Sequence, residues 1–181
     1  MTGLTKFCHV KPKAIFFDRD GVINERILGS YVRNWDEFRF LPEVGETLRE
    51  IKDRGFIAIV ITNQRGVGLG RMTERDLEDI HKRMQEELLD RSGVEFDEII
   101  SCTDADNESG RRKPSPAMLL EAQNKFGIDM AESWMIGDTA SDIEAGEKAG
   151  TKTAFLLNKH STPPDNATIC IASLRQIVTY L

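Results

Sequence analysis

The residues best suited to chemistry stand in Asp18-Arg19-Asp20-Gly21-Val22-Ile23-Asn24, directly after the apolar run Ala14-Ile15-Phe16-Phe17. Such a run reads as a buried strand that delivers two carboxylates to the end of a sheet. One Asp-Gly pair alone would read as a strand-closing turn. Three further segments decide against that: Thr62 and Asn63 close the run from Phe56 to Ile61, Arg112 and Lys113 follow a third strand, and Asp138 with Asp142 follows a fourth. Parallel strands bring their carboxyl ends to one edge, so four distant segments become one pocket.

That set of groups matches what phosphate-ester hydrolysis requires. A carboxylate attacks phosphorus only when a metal and cations offset the charge on the phosphate oxygens. Asp18 and Asp138, with the backbone carbonyl of Asp20, supply hard oxygen ligands of the kind Mg²⁺ takes. Lys113 adds a point charge, and the Thr62 hydroxyl and Asn63 backbone N–H can donate to equatorial oxygens. Asp18 is the candidate nucleophile, forming an aspartyl-phosphate. Asp20 is the candidate acid for the leaving alkoxide and then base for the attacking water. Asp142, one helical turn past Asp138, would bind a metal water or hold Lys113. Singly, Asp138 and Asp142 would be helix N-terminal acids favoured by the macrodipole.

The elements that must position these groups alternate. After a lead-in from Met1 to Pro12 and a strand from Lys13 to Asp18, the segment from Gly21 to Phe40 has no clean period and reads as a flap, its aromatics Tyr31, Trp35, Phe38 and Phe40 forming a local core. Pro42 opens a helix with Val44, Leu48 and Ile51 on one face, and Gly55 stops it. A second strand runs from Phe56 to Ile61, and the glycine-rich stretch from Arg65 to Arg71 reads as a flexible loop. It fails the dinucleotide pattern, because Arg71 stands at the third glycine position. Thr73 to Asp76 is a capping box ahead of a long helix with Leu77, Ile80, Met84 and Leu88 inward. A strand from Phe96 to Cys102 leads to a polar loop, and Ser115 and Pro116 form the N-cap and N1 of the next helix. A strand from Ser133 to Gly137, a helix from about Ser141 to Ala149 and a strand from Thr151 to Leu157 follow. Thr168 to Ile171 is a candidate sixth strand, and Ser173 to Leu181 a closing helix. Strands alternating with helices of this length predict βαβ crossovers and a mostly parallel sheet in a Rossmann-like three-layer sandwich.

The chain has 181 residues, which suits a single domain over 1–181. Its 40% hydrophobic and 30% charged content is that of an ordinary globular protein. No apolar run is long enough to span a bilayer, and the first dozen residues lack a secretory h-region, so a cytoplasmic setting is expected. A net charge of −6 disfavours general nucleic-acid binding. The scattered Cys8, Cys102 and Cys170 suggest reduced thiols. His9, His81 and His160 read as surface or helix-side residues, and Arg111 as a solvated base.

The segments "FFDRDGVIN", "ITNQRGVGLG", "RRKPSPAML" and "MIGDTASDIEAGEKAG" resemble, in order and spacing, the four motifs of the haloacid dehalogenase-like phosphatases. Within that family the chain is most similar to the D-glycero-D-manno-heptose 1,7-bisphosphate 7-phosphatases and the histidinol-phosphate phosphatases. The resemblance implies Asp18 as nucleophile, Asp20 as acid/base, Thr62, Asn63 and Lys113 as the phosphate site, Asp18, Asp20 and Asp138 as Mg²⁺ ligands, and Arg112 as a substrate contact. Two departures stand out. Those enzymes carry a zinc loop, Cys-x-His then Cys-x-Cys, before the Arg-Lys-Pro; here Cys102 is alone, so no zinc is expected. Thr139 stands where heptose enzymes often have lysine.

The stretches between elements are too short for a folded cap, so an open site is expected. The substrate is then a small phosphate ester, a heptose 1,7-bisphosphate first and histidinol phosphate as the alternative. A nucleic-acid 3′-end phosphatase and a non-catalytic phosphate-binding module are the rivals. No nucleic-acid or membrane partner is expected, and a monomer is favoured.

Overall fold

A computed structural model describes residues 10–106, 109–159 and 161–181. Cys8, His9, His160 and most of the lead-in lie outside the described residues. Six strands form one parallel sheet: β1 (Ala14–Phe17), β2 (Ile57–Asn63), β3 (Glu98–Cys102), β4 (Trp134–Gly137), β5 (Lys152–Leu156) and β6 (Ile169–Ile171), in the order β3-β2-β1-β4-β5-β6. The helices are α1 (Val44–Asp53), α2 (Arg65–Gly68), α3 (Glu74–Ser92), α4 (Ala117–Phe126) and α5 (Ala140–Ala149), with 3₁₀ turns at Trp35–Glu37 and Leu174–Tyr180. This is the Rossmann-like α/β sandwich expected, with no folded cap among the described residues.

The four residues of β1 are all buried because the strand is covered on both faces. Ile15 and Phe17 point into one apolar layer with Leu48 and Ile51 of α1 and Ile80 and Met84 of α3. Ala14 and Phe16 point into the other, with Met118, Leu119 and Ala122 of α4 and Ala145 of α5. Strand β1 pairs with β2 on one side and β4 on the other. That is where the strand order reverses, and a crevice opens there beyond the carboxyl ends.

Several boundaries differ from the sequence reading. Strand β2 runs on through Thr62 and Asn63, because β3 pairs with it to its last residue. The stretch from Arg65 to Arg71 is not wholly a loop: its first four residues are the one-turn helix α2. A Cβ on Gly66 would stand 3.0 Å from the Tyr31 ring, and one on Gly68 2.4 Å from the Thr103 carbonyl, so these glycines admit close packing. The segment from Gly21 to Phe40 is seated, not free, with Val22, Ile23, Val32 and Phe38 buried. Trp35 stacks on Phe38 at 4.9 Å, and Phe40 meets Phe38 edge-on at 5.0 Å. Trp35, Phe38 and Phe40 are local core, as expected, whereas Tyr31 stands at the wall of a cleft.

Helix α4 is entered through Pro116, whose backbone is already helical, and the Ser115 hydroxyl accepts from Ala117 N at 3.3 Å, so Ser115 and Pro116 stand as N-cap and N1 as expected. The capping box of α3 forms as expected between Thr73 and Asp76. The sixth strand exists and pairs with β5, and the closing helix is present as a 3₁₀ helix over Leu174–Tyr180. Among the described residues no helix is long and apolar enough to cross a membrane.

Candidate active site

The sequence-nominated groups meet at the β1–β4 crevice. Asp18 leaves β1 with its N–H donating to the Ile136 carbonyl of β4 at 2.9 Å, which fixes its backbone at the switch point. The Lys113 ammonium comes from 95 positions away and is 3% exposed. It bonds Asp18 Oδ1 at 2.8 Å, Asp142 Oδ1 at 2.6 Å and the Ile61 carbonyl at 2.7 Å. All three donors of a buried ammonium are therefore used. Burial alone would lower the Lys113 pKa, but Asp142 and Asp18 outweigh it and the group is held charged. Of the two roles open to Asp142, the structure displays the grip on Lys113. Its other oxygen accepts from Thr139 N and Oγ1, forming the capping box of α5.

Asn63 secures the same lysine differently. Its side chain donates to the Lys113 carbonyl at 3.2 Å and accepts from Lys113 N at 3.0 Å. Thr62 is fully buried beneath the cleft, its hydroxyl accepting from Gln64 at 2.9 Å. Asp138, at the end of β4, closes the group from the other side. Asp18, Asp138 and Asp142 each offer an oxygen within 4.8 Å of the others.

Two like charges this close resist ionisation. Burial pushes the Asp18 carboxyl up to about 6, with Lys113 pulling it down and Asp142 and Asp20 pushing it further up. Burial and the Asp18 charge push Asp138 up to about 7, against the pull of Arg26. Such a pair favours a further cation.

Arg26 supplies one, and the sequence reading missed it. One nitrogen, Nη2, lies 2.7 Å from Asp138 Oδ1, 2.7 Å from the Asp20 carbonyl and 3.5 Å from Asp18 Oδ2. Those are the carboxylates and the carbonyl nominated from the sequence as metal ligands. Hard oxygens converging on one positive atom fit a divalent cation such as Mg²⁺.

The fit depends on glycine. A Cβ on Gly21, at φ +99°, would stand 2.1 Å from Asp138 Oδ2. We therefore expect Gly21→Ala to weaken divalent-ion binding and to cost roughly 2 kcal/mol of stability or more, combining a strained left-handed alanine with a displaced carboxylate. Thermal melting and calorimetric titration with Mg²⁺ check this; unchanged values in both would show that Asp138 has room to spare.

Asp20 points the other way. Arg19 Nη2 donates to both its oxygens at 3.0 and 2.9 Å, Asn24 donates to one at 2.9 Å, and Gln64 to the other at 2.8 Å. Burial would raise its pKa, but Arg19 and these donors hold it below the usual carboxylate range. The Arg19 side chain is itself fully buried, with Nη1 3.3 Å from His81 Nε2. His81 is thus a helix-side residue of α3, half-buried against Arg19. Burial and the neighbouring Arg19 charge lower its pKa to about 3, despite Asp20, so it stays neutral and can accept from Arg19. A sequence signal existed for Arg19, a charge wedged between two acids at a strand end. For Arg26 and His81 none did.

Above these groups lies a cleft of about 490 Å³, lined by Asp18, Asp20, Tyr31, Asn63, Arg112 and Lys113 among others. Arg112 Nη1 is buried with no partner, an open donor at the wall. Arg111 instead pairs with Glu121 at 2.7 Å on the surface, as its neighbourhood suggested. Cys102 is buried beside Asp104, with Sγ 3.4 Å from its carboxylate.

Known proteins resemble this chain in sequence and in fold. A family model described as haloacid dehalogenase-like hydrolase matches residues 25–150. The D-glycero-beta-D-manno-heptose-1,7-bisphosphate 7-phosphatase of Helicobacter pylori (strain J99 / ATCC 700824) is 35% identical over 170 residues, covering 93% of this chain and 97% of that protein. The enzyme of the same name from Escherichia coli (strain K12) is 39% identical over 160 residues, covering 83% and 82%. Among solved structures, the D,D-heptose 1,7-bisphosphate phosphatase from B. bronchiseptica complexed with magnesium and phosphate superposes with a TM-score of 0.83 at 25% identity, covering 93% of this chain and 97% of that one. A model matched over well more than half the chain, and a relative 35% identical along 97% of its length, mean that this chain belongs to the haloacid dehalogenase-like hydrolases.

Proposed function

We propose that the chain is a Mg²⁺-dependent phosphomonoesterase that removes the 7-phosphate of D-glycero-β-D-manno-heptose 1,7-bisphosphate. The observation that carries the chemistry is the convergence of Asp18, Lys113 and Asp138 at one crevice, with Lys113 Nζ 2.8 Å from the candidate nucleophile. The names of the relatives support the substrate and favour it over histidinol phosphate.

In this reading the Asp18 carboxylate attacks phosphorus, the ester P–O bond breaks, and the phosphoryl group passes to Asp18. Asp20, ionised in the resting site, must take up a proton as the substrate binds; it then gives that proton to the departing alkoxide and takes one from the water that hydrolyses the aspartyl-phosphate, which regenerates Asp18 and releases phosphate. Lys113 spreads the charge of the transferring group, the Asn63 N–H and Thr62 hydroxyl orient its oxygens, and Arg112 holds the anionic substrate at the wall. Asp18, Asp138 and the Asp20 carbonyl would hold Mg²⁺, with Asp142 behind them. When bound, the ion supplies charge neutralisation and orients a phosphate oxygen. Among the described residues no cap closes over the cleft, so specificity rests on its rim. A single-domain, cytoplasmic, monomeric enzyme that needs no nucleic acid completes the proposal.

The test is phosphate release with Mg²⁺ across both anomers of the heptose bisphosphate, histidinol phosphate, other sugar phosphates and a 3′-phosphorylated oligonucleotide. We expect the β anomer to lead, with kcat/KM of about 10⁵ M⁻¹s⁻¹ or more. A clear preference for another member of the panel would replace the substrate assignment. Zinc has no part in the reading, since Cys102 has neither cysteine nor histidine within the loop up to Lys113. A zinc-selective chelator should accordingly leave activity unchanged, and a loss restored by zinc would reverse that point.

A further inference from the structure

We propose that Arg26 is a tethered cation that exchanges with the divalent ion: its guanidinium holds the metal's oxygens in the metal-free protein and must swing out before an ion can bind, so this arginine sets metal affinity. The inference rests on the metal reading above.

The contact pattern is the first support. Guanidinium normally meets a carboxylate as a fork, two nitrogens on two oxygens. Here one nitrogen is shared between Asp138 Oδ1, the Asp20 carbonyl and Asp18 Oδ2, at 2.7, 2.7 and 3.5 Å, as a point cation would be. The adjoining Nε adds only a 3.1 Å bond to the same Asp20 carbonyl. An ion on these oxygens and Nη2 cannot occupy the same place.

Freedom to leave is the second. The backbone on either side of the side chain is anchored, with Asn24 bridged to Phe40 and Glu25 N donating to the Arg39 carbonyl at 2.8 Å. The side chain is not: it is 36% exposed and forms part of the wall of two clefts, of about 490 and 840 Å³. Rotation about its own bonds can carry the guanidinium into either cleft without moving the chain.

The test is Mn²⁺ binding to the full chain, by titration calorimetry and by loss of the free-ion electron paramagnetic resonance signal. Wild type is compared with Arg26→Gln and Arg112→Gln at one pH and ionic strength. A competitor that holds the site in nine molecules of ten weakens apparent affinity tenfold, so Arg26→Gln should bind about tenfold tighter or better. Arg112→Gln removes equal charge from the same cleft without freeing an oxygen, and should shift affinity by less than about threefold. Equal affinity in wild type and Arg26→Gln overturns the exchange while leaving the metal site standing. A matching gain in Arg112→Gln also overturns it, by reducing the effect to general charge. Binding by none of the three removes the metal reading and the exchange with it. Should Arg26→Gln fail to fold, side-chain NMR of the wild type reads the same event: an arginine Nε–H signal should lose its protection as Mg²⁺ is added, and none doing so defeats the proposal.

Discussion

Asp18→Asn should reduce turnover by about 10⁴-fold or more, to the level of background hydrolysis, while the protein stays folded. An amide has no anionic oxygen to place on phosphorus, so removing it takes away the first bond of the reaction. The substitution is nearly isosteric and the position keeps its backbone bond to Ile136. Loss of activity with retained circular dichroism would therefore report chemistry, not unfolding. Asp20→Asn gives the complementary result. With a good leaving group it should still transfer phosphate to Asp18 but release it slowly, so a burst of leaving group precedes a slow steady state. Substantial steady-state activity in Asp18→Asn would end the covalent mechanism.

Lys113→Met should be costly twice over. Its ammonium is the only cation bonded to both Asp18 and Asp142 among the described contacts, and removing one partner of a buried ion pair leaves an uncompensated charge. A stability loss of roughly 3 kcal/mol or more is expected. Turnover should fall by about 10³-fold or more as the phosphoryl oxygens lose a fixed cation. Denaturant unfolding separates the two effects, since activity can be read on the fraction still folded. The pair can be isolated by a cycle with Asp142→Asn, which keeps a capping oxygen for Thr139. That change should be clearly more destabilising with Lys113 present than in Lys113→Met, by about 1 kcal/mol or more. Strict additivity would mean that the 2.6 Å contact contributes nothing.

Much of this site was legible because strand ends announce themselves. A short apolar run that stops at Asp18, Thr62 or Asp138 reads as a buried strand surfacing, and alternation with helices puts all such ends on one edge. Lys113 was legible by company, since a lone Arg-Arg-Lys is an ordinary solvated face. Arg26 and His81 were not. Arg26 lies in a segment with no period, so neither its direction nor its distance to Asp138, 112 positions on, could be read. His81 sits on a helix whose apolar stripe was found, but its partner Arg19 comes from a strand end 62 positions away. The glycines of α2 misled for a related reason. Their freedom suggests a loop when nothing nearby is known, whereas here it serves close approach to Tyr31 and Thr103.

The spread of the site along the chain bears on how the molecule assembles. Asp18 meets its lysine across 95 residues, and Arg26 meets Asp138 across 112. Contacts that close such long loops form late in folding, after local helices and neighbouring strands have reduced the entropy of closure. No fragment ending before β4 holds Asp138 or Asp142, so no partly folded species that leaves β4 undocked can keep a working pocket. Catalytic competence and global structure should therefore disappear together on a single denaturant curve, without an active intermediate on the way.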